Sequence, residues 1–237
     1  MRYLITLSYD GSKFFGFQRQ NDLESVQKDV EKVLTDYFGY QITIKGAGRT
    51  DRGVHANGQR AHFDINQPVN CNLLKKYMNN KLSNIRIKKI NLVSDDFHSR
   101  FSVRKKHYSY KISFDSKDYN SDYMFYQKQL DIKLMKEASK LFIGVHNFQN
   151  FVSGTRDNYD CIIYKIKFRK RFNTLVIHFY GKSFYRYMVR NMVGALVDVG
   201  KHKAKPSRIS ELLTGKKTDK MLSTAPAKGL TLEKIYY

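Results

Sequence analysis

Apolar residues recur along this chain at two periods, two residues and about 3.6, and the order in which the periods alternate sets the class of fold it can adopt. Residues 2–9, 41–45, 59–65 and 85–93 alternate as strands do. Between the first two, Val26, Val30, Val33, Leu34 and Tyr37 fall on one helical face of a segment spanning 25–39, and Gly39 is a suitable stop. A second helix is expected at 71–82, so the first half reads β-α-β-β-α-β. The order then repeats. His107 to Asp115 alternates, and 131–143 reads as a helix with Leu134, Ala138, Leu141 and Phe142 inward. Residues 161–170 and 174–180 form a strand pair joined by Phe172-Asn173. An apolar helix over 184–199, a short helix over 207–214 and a closing strand over 230–237 follow. The expected class is α+β, with two ferredoxin-like halves, residues 1–105 and 106–237, whose predominantly antiparallel sheets join or face each other across a cleft.

Charge narrows the partners. Lys and Arg exceed Asp and Glu by 43 − 21 = +22, a field that attracts polyanions, and nucleic acid is the first candidate because neutralising phosphates releases counterions. A generally basic proteome would give the same excess with no ligand behind it. No apolar run reaches the ~18 residues of a membrane span. The opening Met1 to Asp10 alternates like a strand and lacks the apolar stretch of a signal peptide, so a cytosolic protein is expected. Cys71 and Cys161 stand far apart, and no His-Glu-x-x-His pattern occurs, so neither a disulfide nor a metal is expected.

The densest local signal is Gly46-Ala47-Gly48-Arg49-Thr50-Asp51-Arg52-Gly53-Val54-His55-Ala56, with three glycines in eight residues directly after a strand. It is not a dinucleotide loop, because Asp51 stands where the third glycine belongs and a strand follows instead of a helix. Gly181-Lys182-Ser183 resembles the tail of a phosphate loop, but Val176 occupies the place of its first glycine. No nucleotide cofactor is therefore expected. A carboxylate framed in this way can act as nucleophile or base while the flanking arginines engage phosphate or a base edge. An aspartate capping its own turn accounts for Asp51 equally well on local sequence alone.

The run from Gly46 to Ala56, with Gln59 and His62-Phe63 after it, resembles the active-site motif of the tRNA pseudouridine synthase A family. The likeness covers nearly the whole chain: Tyr9-Asp10-Gly11, Phe15-Gly16-Phe17-Gln18, Arg100-Phe101-Ser102, Tyr108-x-Tyr110, His146-Asn147-Phe148 with Phe151, Phe184, Met188 to Gly194, and Ala225-Pro226-Ala227-x-Gly229-Leu230 occur in family order. The resemblance implies a pseudouridine synthase fold, with the first half carrying a catalytic aspartate loop and the second completing the active-site cleft. It implies that Asp51 is the catalytic carboxylate and that Arg49 helps extrude the target nucleotide and fills the space it leaves. Tyr108 would pack against the target base, and Arg190 would be the basic partner of the aspartate. It further implies a homodimer acting, without cofactor, on uridines 38, 39 and 40 of the tRNA anticodon arm.

The residues suit those roles. A uridine inside a stem must be unstacked before its glycosidic bond can react, at a cost of ~ a few kcal/mol. Base–aromatic stacking returns roughly 1–3 kcal/mol. By alternation alone Tyr108 is more simply a core aromatic, since Tyr110 and Ile112 lie on its side of the strand. Arg190 stands in a helix apolar around most of its circumference, where a guanidinium needs an anion unless it snorkels to the surface. Arg186, one turn earlier, would extend the positive charge.

Arg52 departs from the family, where a small or neutral residue is common, and the short segments between motifs leave another RNA, ribosomal RNA included, open as substrate. Two other classes compete: a non-catalytic RNA-binding protein, which needs no Asp51/Arg190 pair, and a methyltransferase, which needs a cofactor loop that the chain lacks.

Overall fold

A computed structural model describes residues 1–20, 22–215 and 223–237. The chain forms two compact units, Met1–Arg104 with Thr231–Tyr237, and Lys105–Leu230.

In the first unit, β1 (Arg2–Tyr9) is the central strand, antiparallel to β3 (His55–Asp64) on one side and to β4 (Ile85–Val93) on the other. Leu4 lies opposite His62, and Ile5 opposite Ile90. Helices α1 (Val26–Phe38) and α2 (Cys71–Lys81) bury Val26, Val30, Leu34, Leu74 and Met78 with Ile5, Leu7 and Ile87 in one core. Ser25 caps α1 by accepting the Lys28 N–H, and Gly39 ends it in the left-handed conformation (φ 75°).

The strand expected over 41–45 shrinks to β2 (Lys45–Gly46), paired with β3. Its missing part has a different source of hydrogen bonds. The Ile42 N–H donates to Thr35 Oγ1 and the Ile44 N–H to Glu31 Oε1, each at 3.0 Å, so side chains of α1 replace a strand partner while both isoleucines stay buried. The closing strand forms where expected, but from Thr231 it belongs to the first unit. From Thr231 onward β10 (Leu230–Tyr236) pairs in parallel with β3, Thr231 opposite His55, and Asn57 donates to the Glu233 carboxylate at 2.7 Å.

In the second unit, β5 (Lys105–Ser113), β9 (Thr174–Gly181), β8 (Asp160–Arg171) and β7 (Gly144–Asn147) pair antiparallel in that order, with the two-residue β6 (Phe125–Tyr126) parallel to β5. β6 and β7 are too short to show alternation in the sequence. Helices α3 (Ile132–Ser139), α4 (Met188–Gly200) and α5 (Ser207–Leu212) complete the unit. The chain is thus α+β with mostly antiparallel pairing.

Helix α4 begins at Met188, four residues later than the expected 184. The residues before it are held elsewhere: the Tyr185 hydroxyl donates to the Asp160 carbonyl at 2.8 Å, the Arg156 guanidinium lies 3.7 Å from the Tyr185 ring centroid, and Tyr187 is left-handed at φ 64°. Deeper in α4, a Cβ on Gly194 would fall 1.5 Å from the Ser223 carbonyl oxygen. Alanine normally favours a helix, yet Gly194→Ala is expected to destabilise the protein by ~2–3 kcal/mol, lowering Tm by about 5–10 °C in a thermal melt.

Candidate active site

The glycine-framed run lies in the first unit as the connection from β2 to β3. Asp51 opens a tight turn in which the Val54 N–H donates to the Asp51 carbonyl at 3.1 Å. Gly53 sits at the third position with φ 78°, which a type II turn demands and a side chain resists. A neighbouring segment grips the run along its length. The Phe17 N–H donates to the Thr50 carbonyl at 3.1 Å, and the Gly11 N–H donates to His55 Nδ1 at 3.1 Å. A Cβ on Gly11 would fall 2.2 Å from the Val54 carbonyl oxygen, so only glycine permits this approach. The two motifs near the chain start are therefore the cradle of the Asp51 loop. In that cradle Asp51 is half-buried, Arg49 is exposed, and Arg52 is exposed with its guanidinium 4.3 Å from the Phe15 ring centroid.

Behind the loop the polar groups are buried. Tyr9, Thr50 and Gln59 are joined by hydrogen bonds, and burial pushes the Tyr9 hydroxyl up to about 12. On β3, His62 is fully buried; its Nδ1 lies 3.2 Å from the Ser99 N–H and 2.9 Å from the Ser99 hydroxyl, which donates to the Lys45 carbonyl. Burial, then the nearby Arg2 and His98, lowers the His62 pKa to about 4. The folded protein thus holds His62 neutral while the unfolded chain binds a proton below pH ~6.5. Stability linked to His62 is complete above that value and is lost as pH falls towards 4. The Arg2 hydrogen bond lowers the Asp64 pKa, so the stability linked to Asp64 is complete above the ordinary carboxylate range and is lost as pH falls through that range and below it. Between pH 7.5 and 4.5 the His62 contribution is expected to fall by about 2 kcal/mol. A His62→Gln variant, less stable at neutral pH, should show a flatter unfolding free energy across that window.

In the second unit, Tyr108 on β5 is buried and meets Phe184 edge to face, ring centroids 5.2 Å apart at 75°. Arg190 stands on the first turn of α4 and is half-exposed, whereas its neighbours Met188 and Val189 are buried, so the apolar sequence around it did not report its own exposure. Its Nε donates to the Ala225 carbonyl at 2.8 Å, and the Ala225 N–H returns a bond to the Arg190 carbonyl at 3.1 Å. The Tyr110 hydroxyl anchors the next residue by donating to the Pro226 carbonyl at 2.7 Å. The Tyr187 ring lies 4.5 Å from the Arg190 guanidinium and 5.4 Å from that of Arg186, which places two cations against one aromatic face system. Asp51 and Arg49 are thus neighbours on one loop of the first unit, and Tyr108 and Arg190 belong to the second. Sequence reasoning had passed over Thr50 and Tyr187. The backbone conformation of Tyr187 has no sequence signal, and the close approach at Gly11 comes from a segment far away in sequence. Among the described residues no group of three or more His, Cys, Asp or Glu could hold a metal ion, and no helix is long and apolar enough to cross a membrane.

The family model described as tRNA pseudouridine synthase matches residues 5–102 and 138–237. Proteins called tRNA pseudouridine synthase A are similar over their full length. One from Thermodesulfovibrio yellowstonii is 37% identical over 98% of this chain and 98% of its own. One from Phytoplasma mali is 39% identical, covering 99% and 98%, and one from Listeria monocytogenes serotype 4b is 39% identical, covering 100% and 99%.

Proposed function

The chain belongs to the tRNA pseudouridine synthase family, and from that premise we propose that it isomerises uridine to pseudouridine in tRNA, at positions 38–40 of the anticodon arm. The observation that carries this reading is the Arg49-Thr50-Asp51 loop, held by hydrogen bonds to the segment before α1, in a chain alike from end to end to proteins of that name.

The reaction detaches uracil from its sugar at N1, turns the base and rejoins it through C5, after which the C5 proton leaves. Bonds of similar energy are exchanged and no redox change occurs, so no cofactor is needed. Asp51 serves as the carboxylate that initiates the exchange. Arg49, exposed beside it, enters the space of the extruded nucleotide and engages phosphate. Tyr108 presents an aromatic face to the extruded base, and Arg190 is the cation that balances the Asp51 charge. Asp51 and Arg49 come from the first unit, Tyr108 and Arg190 from the second, and the working form is a cytosolic homodimer. The proposal predicts tritium release from tRNA carrying 5-tritiated uridine with enzyme and buffer alone. Release that depends on an added nucleotide or metal would refute it.

A further inference from the structure

We infer that the hydrogen-bonded chain Gln59–Tyr9–Thr50 is a positioning device that sets the orientation of the Asp51 carboxylate. The inference rests on the reading of Asp51 as the catalytic group. The three residues come from different parts of the fold: Tyr9 ends β1, Gln59 lies on β3 and Thr50 precedes Asp51 in the loop. All are buried, with relative exposures of 6%, 0% and 7% for Tyr9, Gln59 and Thr50.

Donor chemistry fixes the Gln59 end of the chain. Gln59 Nε2 can only donate; it reaches the Gly48 carbonyl at 3.0 Å and the Tyr9 hydroxyl at 3.5 Å. The Tyr9 hydroxyl in turn shares a hydrogen bond with Thr50 Oγ1 at 2.8 Å, in which either oxygen can donate. Thr50 is therefore held twice, its hydroxyl by Tyr9 and its carbonyl by the Phe17 N–H. With Gly48 held by Gln59, the backbone is tied on both sides of Arg49 and up to the peptide that leads into Asp51.

The strand geometry is bent to serve this arrangement. Along β1 and β3, Leu7 pairs with Gln59, but Tyr9 pairs with Ala56 where an unbroken register would place Asn57. A bulge of this kind re-aims the side chain after it. The re-aimed ring is then wedged by Phe14 at 6.3 Å and Phe17 at 6.5 Å, which leaves its hydroxyl little freedom. A phenylalanine and a valine would fill the same space without burying two hydroxyls, and such apolar pairs are often as stable as the bonded polar pair. What the polar chain adds is direction, and a catalytic carboxylate displaced by a fraction of an ångström loses rate.

The test separates direction from stability. Tyr9→Phe leaves the Thr50 hydroxyl and a Gln59 N–H without their partner, whereas Tyr9→Phe/Thr50→Val removes both hydroxyls and restores an apolar contact. We expect Tyr9→Phe to lower both Tm and kcat, the latter about 10- to 100-fold, with KM and the Kd for tRNA within about twofold of wild type. In the double variant Tm should recover while kcat stays low. A wild-type kcat in Tyr9→Phe, or a kcat that recovers together with Tm in the double variant, overturns the inference. Should Tyr9→Phe not fold, Thr50→Val alone answers the same question, since a fall in kcat at unchanged Kd supports positioning and an unchanged kcat refutes it. Wild type and Asp51→Asn assayed on the same tRNA report on Asp51 itself, so a failure of that reading is distinguishable.

Discussion

Asp51→Asn is expected to abolish tritium release from 5-tritiated tRNA, lowering kcat by about 10⁴-fold or more, the loss typical of removing a group that does the covalent or proton-transfer work. The substitution is nearly isosteric, and it keeps the backbone bond from the Val54 N–H to the Asp51 carbonyl. The loop should therefore keep its shape while the side chain loses its charge and its nucleophilic and basic oxygens. RNA affinity should stay within a fewfold of wild type in a filter-binding assay. Full activity in this variant would sink the assignment of Asp51. Loss of binding together with activity would point instead to a damaged loop.

Raising monovalent salt from 50 to 200 mM is expected to weaken tRNA binding about a thousandfold, the effect of roughly six phosphate contacts on a log–log salt plot. The net charge of +22 supports a value of this size. Strand β8 shows how the charge is displayed: Lys165, Lys167, Arg169 and Arg171 alternate along it, all exposed, and Lys167 depresses the pKa of Lys165 beside it. Like charges in a row repel unless a polyanion neutralises them. Filter binding across a salt series gives the slope directly, and a flat slope would refute phosphate neutralisation as the source of affinity. The slope should be the same in Asp51→Asn, since the charge that changes there is not one that meets phosphate.

How much was legible beforehand differs from element to element. Helix α1 was plain because its cap, its apolar face and its terminal glycine all lie within consecutive residues. The strand expected at 41–45 failed because alternation reports burial, not hydrogen bonding; Ile42 and Ile44 are buried as a strand would bury them, but their amides go to Thr35 and Glu31 of α1. The start of α4 was misplaced because Tyr185 and Tyr187 are held by contacts to Asp160, Arg156 and Arg190, which no helical periodicity encodes. Arg190 looked buried because its neighbours Met188, Val189 and Met192 are, but burial of neighbours does not fix which way one side chain of a helix faces.

Asp51 shows the division most clearly. That a carboxylate sits in a glycine-framed segment between two strands was plain from the residues, because Gly53 and its neighbours constrain dihedrals locally. Ordered motifs along the whole chain also told which family's chemistry to expect of that carboxylate. What holds it was not legible until the fold was known. Tyr9 and Gln59 stand 41 and 11 residues from the groups they bind, and a strand bulge brings the tyrosine to Thr50. Bonds across such separations depend on register and packing, which arise only when the whole sheet has formed.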